Sequence, residues 1–153
     1  MMDELQTSMA AHAGIPWREQ FTIRSYHVGP TGLATAQSLC HFLQDSAANH
    51  AELLKVGGLD LAALDQMWVL SRLRLCLYKT PYWRSKIAVV TWPSTRSKGI
   101  RAHRDFQIFD AESNELLGEA SSIWLLLDRQ SRRPVRLPQI IEPFRLPGLS
   151  ADI

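Results

Sequence analysis

Apolar residues recur along this chain with two different periods, and the change of period divides it. From residue 35 to 56 the spacing is helical. Leu39, Phe42, Leu43, Ser46, Ala47, His50, Leu53 and Leu54 fall on one arc, with His41, Gln44, Ala48, Glu52 and Lys55 opposite. Thr35 suits the N-cap and Gly57-Gly58 the stop, although Ser38 stands where a capping box would carry Glu. Before this helix, residues 17–28 alternate in part and predict a first strand, closed by the turn Gly29-Pro30-Thr31-Gly32. After it, LDLAALDQ reads as a short loop or helical turn. Four strand-like segments follow, at 68–78, 86–92, 100–109 and 120–127. In the first of these, Val69, Leu73, Leu75 and Leu77 share one face, against Trp68, Leu70 and Cys76 with two arginines. In the third, Ile100, Ala102, Phe106 and Ile108 point inward and Arg101, His103, Asp105 and Gln107 outward, with Arg104 interrupting the inward series. The fourth is apolar enough for a central strand covered on both faces.

One helix followed by a run of antiparallel strands has few ways to hide its arc. The strands pair as a meander, and the helix lies in the concave face of the sheet. This is an α+β architecture, the hot-dog fold, an antiparallel sheet wrapped around one long central helix. The reading assigns 15–138 to the hot-dog domain, 1–14 to a flexible N-terminal tail and 139–153 to an extended C-terminal tail. Pro134, Pro138, Pro143 and Pro147 keep the end of the chain out of regular structure. A second copy would cover the sheet edges, so a homodimer or a dimer of dimers is expected.

Composition narrows the partners. Apolar residues make up 46% of the 153 positions, enough for a core, and the net charge of +2 gives no ground for nucleic-acid binding. No apolar run reaches the roughly 20 residues that span a bilayer, and the first 14 residues lack a basic start followed by an apolar stretch, so neither membrane nor signal peptide is expected. Cys40 and Cys76 have neither metal-ligand nor disulfide spacing. Both lie in apolar patterns and are expected to be buried, reduced thiols, which suits a cytoplasmic protein; no cofactor or metal is expected. The cations are locally biased: Arg129, Arg132, Arg133 and Arg136 crowd the segment after the last strand.

Candidate chemistry sits on the helix. His50 lies near the middle of the apolar arc, where an imidazole needs a reason to be. Asp45 and Asn49, four residues apart, sit one above the other along the arc's border. These three are candidate catalytic residues. Each also has a structural reading: an exposed carboxylate, an amide bonded nearby, and a core histidine that fixes helix to sheet.

The series FTIRSYHVGPTG, LQDSAANHAELL, MWVLSRLRL, YWRSKIAVVTWPS, HRDFQIFD and ASSIWLLLDRQSRRPVRLP, over about residues 17–138, resembles the acyl-acyl-carrier-protein thioesterases of plants and bacteria. The resemblance is to the first of that family's two hot-dog domains, which shapes the acyl pocket; the family's Asp-x-Asn-x-His site belongs to the second. Another hot-dog thioesterase class places a catalytic Asp just before the helix, where this chain has Gly29. A third carries the carboxylate on the helix in a Leu-x-Asp context, to which Leu43-Gln44-Asp45 is similar. The resemblance thus implies hydrolysis of acyl-carrier-protein or coenzyme A thioesters, with Asp45 as base or nucleophile, Asn49 orienting water or carbonyl, and His50 assisting. Backbone N–H groups near Leu33, Ala34 and Thr35 would hold the oxyanion. Trp68 would line the acyl slot. Arg132 and Arg133, with Arg129, Arg136, Arg96 and Lys98, would dock an acidic carrier protein or a coenzyme A phosphate. The alternative is a non-catalytic acyl-binding module or subunit.

Overall fold

The structure, a computed structural model, describes residues 16–138 and 147–148. The expected tails, 1–14 and all but Pro147 and Gly148 of 139–153, lie outside the described residues. In chain order the elements are β1 (Trp17–Thr22), α1 (Ala36–Leu53), α2 (Gly58–Ala63), β2 (Gln66–Leu77), β3 (Lys86–Pro93), β4 (Arg101–Asp110) and β5 (Leu116–Asp128). The strands form one antiparallel sheet in the order β1-β3-β4-β5-β2. With α1 packed on one face, this is the α+β hot-dog arrangement.

Only β3, β4 and β5 form the expected meander. One side of β3 is taken by β1, with Trp17 opposite Thr91 and Phe21 opposite Ile87, and the other side by β4. That leaves β2 to pair with β5 at the far edge. The centre of the sheet is therefore β4, and β5, expected there, is one strand off. β1 ends earlier than its alternation suggested. His27 Nδ1 accepts the Arg24 N–H at 2.9 Å, and this local bond turns the chain into a single 3-10 turn at Ser25–His27.

α1 begins where its cap dictates. Thr35 Oγ1 accepts the Ser38 N–H at 3.1 Å and donates to Ser38 Oγ at 2.9 Å, while the Thr35 N–H that a capping-box Glu would accept goes to the His27 carbonyl at 2.9 Å. Thr35→Ala is expected to cost about 1 kcal/mol, read as a lower urea midpoint with an unchanged slope. Of the predicted arc, Leu39, Phe42, Leu43, Ser46, Ala47, His50 and Leu54 are buried, while Leu53, at the arc's edge, is 43% exposed. Leu39, Phe42, Leu43 and Ala47 meet Ile87, Val89, Phe106 and Ile108 of the sheet to form the core.

β2 departs from simple alternation. Leu70 pairs with Trp124 and Arg72 with Ile123, so Ser71 is an extra residue on this strand. The bulge flips the parity. Trp68 and Leu70 before it share the helix side with Leu73, Leu75 and Leu77 after it, and Val69 does not. Cys76 points outward and is exposed, and Cys40 is half-buried, against the expectation that both are buried; both are free thiols. Ile100 lies outside β4 and is 39% exposed rather than inward.

The outer face of β4 is covered too. Asp105, expected outward, is fully buried and accepts a 2.6 Å bond from Ser121 Oγ. Pro147 and Gly148 lie over this region: Trp92 Nε1 donates to the Pro147 carbonyl at 3.1 Å, and a side chain at Gly148 would collide with Asp105 and Ser94. Nearer β5 the chain is also tied down, with Val135 N–H donating to Leu126 O at 2.8 Å and Leu137 N–H to Gly99 O at 3.0 Å. No helix among the described residues is long and apolar enough to cross a membrane.

Candidate functional site

Three alanines on one side of α1 leave room that larger residues would fill. Ala47, Ala48 and Ala51 face Trp68 of β2, Ala102 of β4 and Trp124 of β5 across a cavity of about 230 Å³. Its walls are mainly hydrocarbon and aromatic, which suits an alkyl chain. Trp68 is held in the wall by its indole N–H, which donates to the Val56 carbonyl at 2.8 Å. Trp92, one strand over, is on the opposite side of the sheet and takes no part.

Gln44, Ser97, His103 and Arg104 are the polar residues along the cavity wall, and Arg104 is the one beneath the helix. On β4 it shares the inward face with Ala102 and Phe106, and it lines the cavity. Its Nη1 lies 3.0 Å from His50 Nδ1 and donates to Thr91 Oγ1 at 3.2 Å. Both partners are uncharged when the imidazole is neutral, and burial holds the guanidinium down to about 10. It is still charged at pH 7, so His50 Nδ1 must present its lone pair to it. The two anomalies of the sequence, an imidazole on the apolar arc and an arginine in the inward series, are one contact. On its other side His50 is stacked by Trp17, with ring centroids 5.7 Å apart and planes at 15°.

The other predicted residues are dispersed. Asp45 is exposed on α1 and does not line the cavity. Asn49 is exposed, and its amide donates to both oxygens of Glu19, at 2.9 and 3.2 Å, while Trp17 Nε1 donates to the same carboxylate at 3.2 Å. So Asn49 and His50 bind β1 and β4 in different directions. At the start of α1 the amides of Ala34 and Thr35 already donate to the Pro81 and His27 carbonyls, each at 2.9 Å. Leu33 bridges to Tyr82. The first-turn amides of Ala36 and Gln37 make no backbone bond among the described residues, as the first N–H groups of a helix do not. Sequence reasoning missed Glu19, whose partner is 30 residues away in sequence with no local pattern joining them. Arg104 did carry a signal, as a charge at an inward position.

Arg132 and Arg133 are exposed in the turn after β5 and line no cavity described here, whereas Arg136 joins Arg96, Lys98, Arg101 and His103 in a separate open groove. Burial, and then the Arg96 guanidinium, hold the His103 imidazole below its usual pKa. Among the described residues no three His, Cys, Asp or Glu side chains are grouped as a metal site requires.

Comparison with known proteins decides the family. The model of the acyl-ACP thioesterase N-terminal domain matches residues 14–144. The chain belongs to that family. Among its curated relatives, the chloroplastic palmitoyl-acyl carrier protein thioesterase of Gossypium hirsutum is 31% identical over 142 residues, covering 86% of this chain and 34% of that protein. Among solved structures, an acyl-ACP thioesterase from Bacteroides thetaiotaomicron superposes with a TM-score of 0.81 at 26% identity, over 89% of this chain and 56% of that one. A 1,4-dihydroxy-2-naphthoyl-CoA thioesterase from Synechocystis shares the fold, with a TM-score of 0.73 at 14% identity, over 82% of this chain and 91% of that one. This acyl-ACP thioesterase N-terminal domain spans 34–38% of the length of the first curated relatives it matches.

Proposed function

We propose that this domain acts in the hydrolysis of acyl-carrier-protein or coenzyme A thioesters, and that it holds the acyl chain in the cavity between α1 and the sheet. The observation that carries the reading is the cavity itself, an apolar slot made by the alanine side of α1 and the indoles of Trp68 and Trp124. The family's thioesterase relatives support the same reaction class.

Asp45 is the carboxylate we assign as base or nucleophile. It lies nine residues into α1 from Ala36, which is roughly 13 Å along the axis. A carbonyl polarised at Ala36 and Gln37 is thus out of reach of the same helix's Asp45. A complete site needs the helix of a second hot-dog unit alongside, its first turn near this Asp45, and we propose a homodimer that supplies it. The 12-residue edge strand β2 offers the unpaired backbone for joining two sheets. Sedimentation should then give twice the 17.3 kDa chain mass. The two free cysteines support a reducing compartment such as the cytoplasm.

Asp45→Asn is expected to lower kcat for palmitoyl thioesters at least about 100-fold. It should leave the melting temperature unchanged, because the side chain is exposed. Unaltered turnover would remove Asp45 from the chemistry and leave the domain as an acyl-binding half.

A further inference from the structure

The cavity beneath α1 holds a full charge among mainly apolar walls. Arg104 lines it, and a guanidinium carries five N–H donors in a planar fork. Nη1 meets His50 Nδ1 at 3.0 Å and Thr91 Oγ1 at 3.2 Å, which occupies that nitrogen's two N–H groups. The three on Nε and Nη2 have no partner among the described residues, yet neither atom is sealed off from the space around it. No carboxylate answers the charge either. Among the described residues no ion pair involves Arg104. Asp105, next along β4, is on the other face of the sheet, where it accepts the Ser121 hydroxyl.

The cost of taking this cation out of water is met when the chain folds, with or without a ligand. A carboxylate that enters therefore pays only its own desolvation, and it gains a counter-charge where the low dielectric makes attraction strong. The unused edge, Nε with Nη2, is the side-on fork that a carboxylate bridges with two parallel bonds. An alkyl chain attached to that carboxylate would lie along Ala47, Ala48, Ala51, Trp68 and Trp124.

We propose that the cavity binds an alkyl chain ending in a carboxylate, with the carboxylate on the Nε–Nη2 edge of Arg104. This rests on the acyl-cavity reading above and adds a class of ligand to it. Two sources share the chemistry. One is a free fatty acid, the product of thioester hydrolysis, which would then hold the cavity against the next substrate. The other is the far end of a thioester made from a dicarboxylic acid.

The test uses the full chain and titration calorimetry, with decanoate and decanol as probes. Decanoate is expected to bind about 10-fold or more tightly than decanol, because hydrogen bonds between charged partners exceed those to a neutral hydroxyl. His50→Leu with Arg104→Met removes the charge and its acceptor together at roughly constant volume. It should bring the two affinities within about twofold of each other. Decanol binding retained by this variant shows that the cavity is intact, and the comparison in the unaltered chain stands without any variant. A second pair of probes separates the sources. The mono-CoA thioester of dodecanedioic acid favoured over dodecanoyl-CoA assigns the site to dicarboxylic thioesters; parity between them, with decanoate still ahead of decanol, assigns it to the free acid. Equal affinity for decanoate and decanol, or a preference that survives the double substitution, overturns the proposal. If Ala51→Phe weakens decanol in that case, the acyl-cavity reading stands and only the carboxylate is lost. Decanoate and decanol both untouched by Ala51→Phe overturn the two together.

Discussion

His50→Leu is expected to lower the stability of the domain by about 3 kcal/mol, and His50→Leu combined with Arg104→Met to recover most of that loss. The imidazole is the acceptor that lets a guanidinium lie between α1 and β4, 3.0 Å from Nδ1. Remove the acceptor, and a buried cation keeps only the Thr91 hydroxyl, at 3.2 Å. Desolvation of an unpaired charge then dominates over the apolar area that Leu gains. Remove both partners, and the charge is gone while the volume is roughly conserved, the situation in which apolar replacement of a buried polar pair is close to neutral. Urea unfolding of the four proteins in a double-mutant cycle measures the coupling. Additive losses would show that His50 stabilises through contacts other than Arg104, its stacking on Trp17 among them.

Ala51→Phe is expected to reduce kcat/KM for palmitoyl thioesters roughly 100-fold while sparing butyryl thioesters. A phenyl ring at this position enters a cavity of about 230 Å³ from its helix wall. Excluding about four methylenes from that space forfeits about 3 kcal/mol, at about 0.8 kcal/mol each. A four-carbon chain bound as proposed would stop short of the obstructed part. Because Ala51 is only half-buried, the ring has room to enter without forcing the core apart, so the melting temperature should change little. Equal losses for both chain lengths would place the acyl group elsewhere.

How far the sequence revealed all this can be seen residue by residue. The helical arc of α1 and its Thr35 cap were legible because both are local: one period and one side-chain bond set them. The β2 bulge was not, because Ser71 becomes an extra residue only through its pairing with β5. Alternation then assigned Trp68 to the wrong side, even though its role in the acyl slot was expected. The sheet order was hidden for a similar reason, since β1 and β2 compete for partners far away in the chain. Asp105 looked like a solvent-facing residue because nothing in its neighbourhood announces that Pro147 and Gly148 return to cover it. Asn49 illustrates the limit for function. Its helical position was correct, yet the Glu19 carboxylate that occupies its amide belongs to another element.

β4 carries opposite charges at successive positions, both enclosed, with Arg104 beneath the helix and Asp105 beneath the returning chain. If the strand mispaired by one step, each would arrive in the other's compartment, a carboxylate facing the imidazole's lone pair and a guanidinium lost from its acceptors. Neither compartment tolerates the exchange, so these neighbours act as a proofreading device for assembly. Misthreaded intermediates are penalised twice over, and the hairpins on either side of β4 have one admissible alignment.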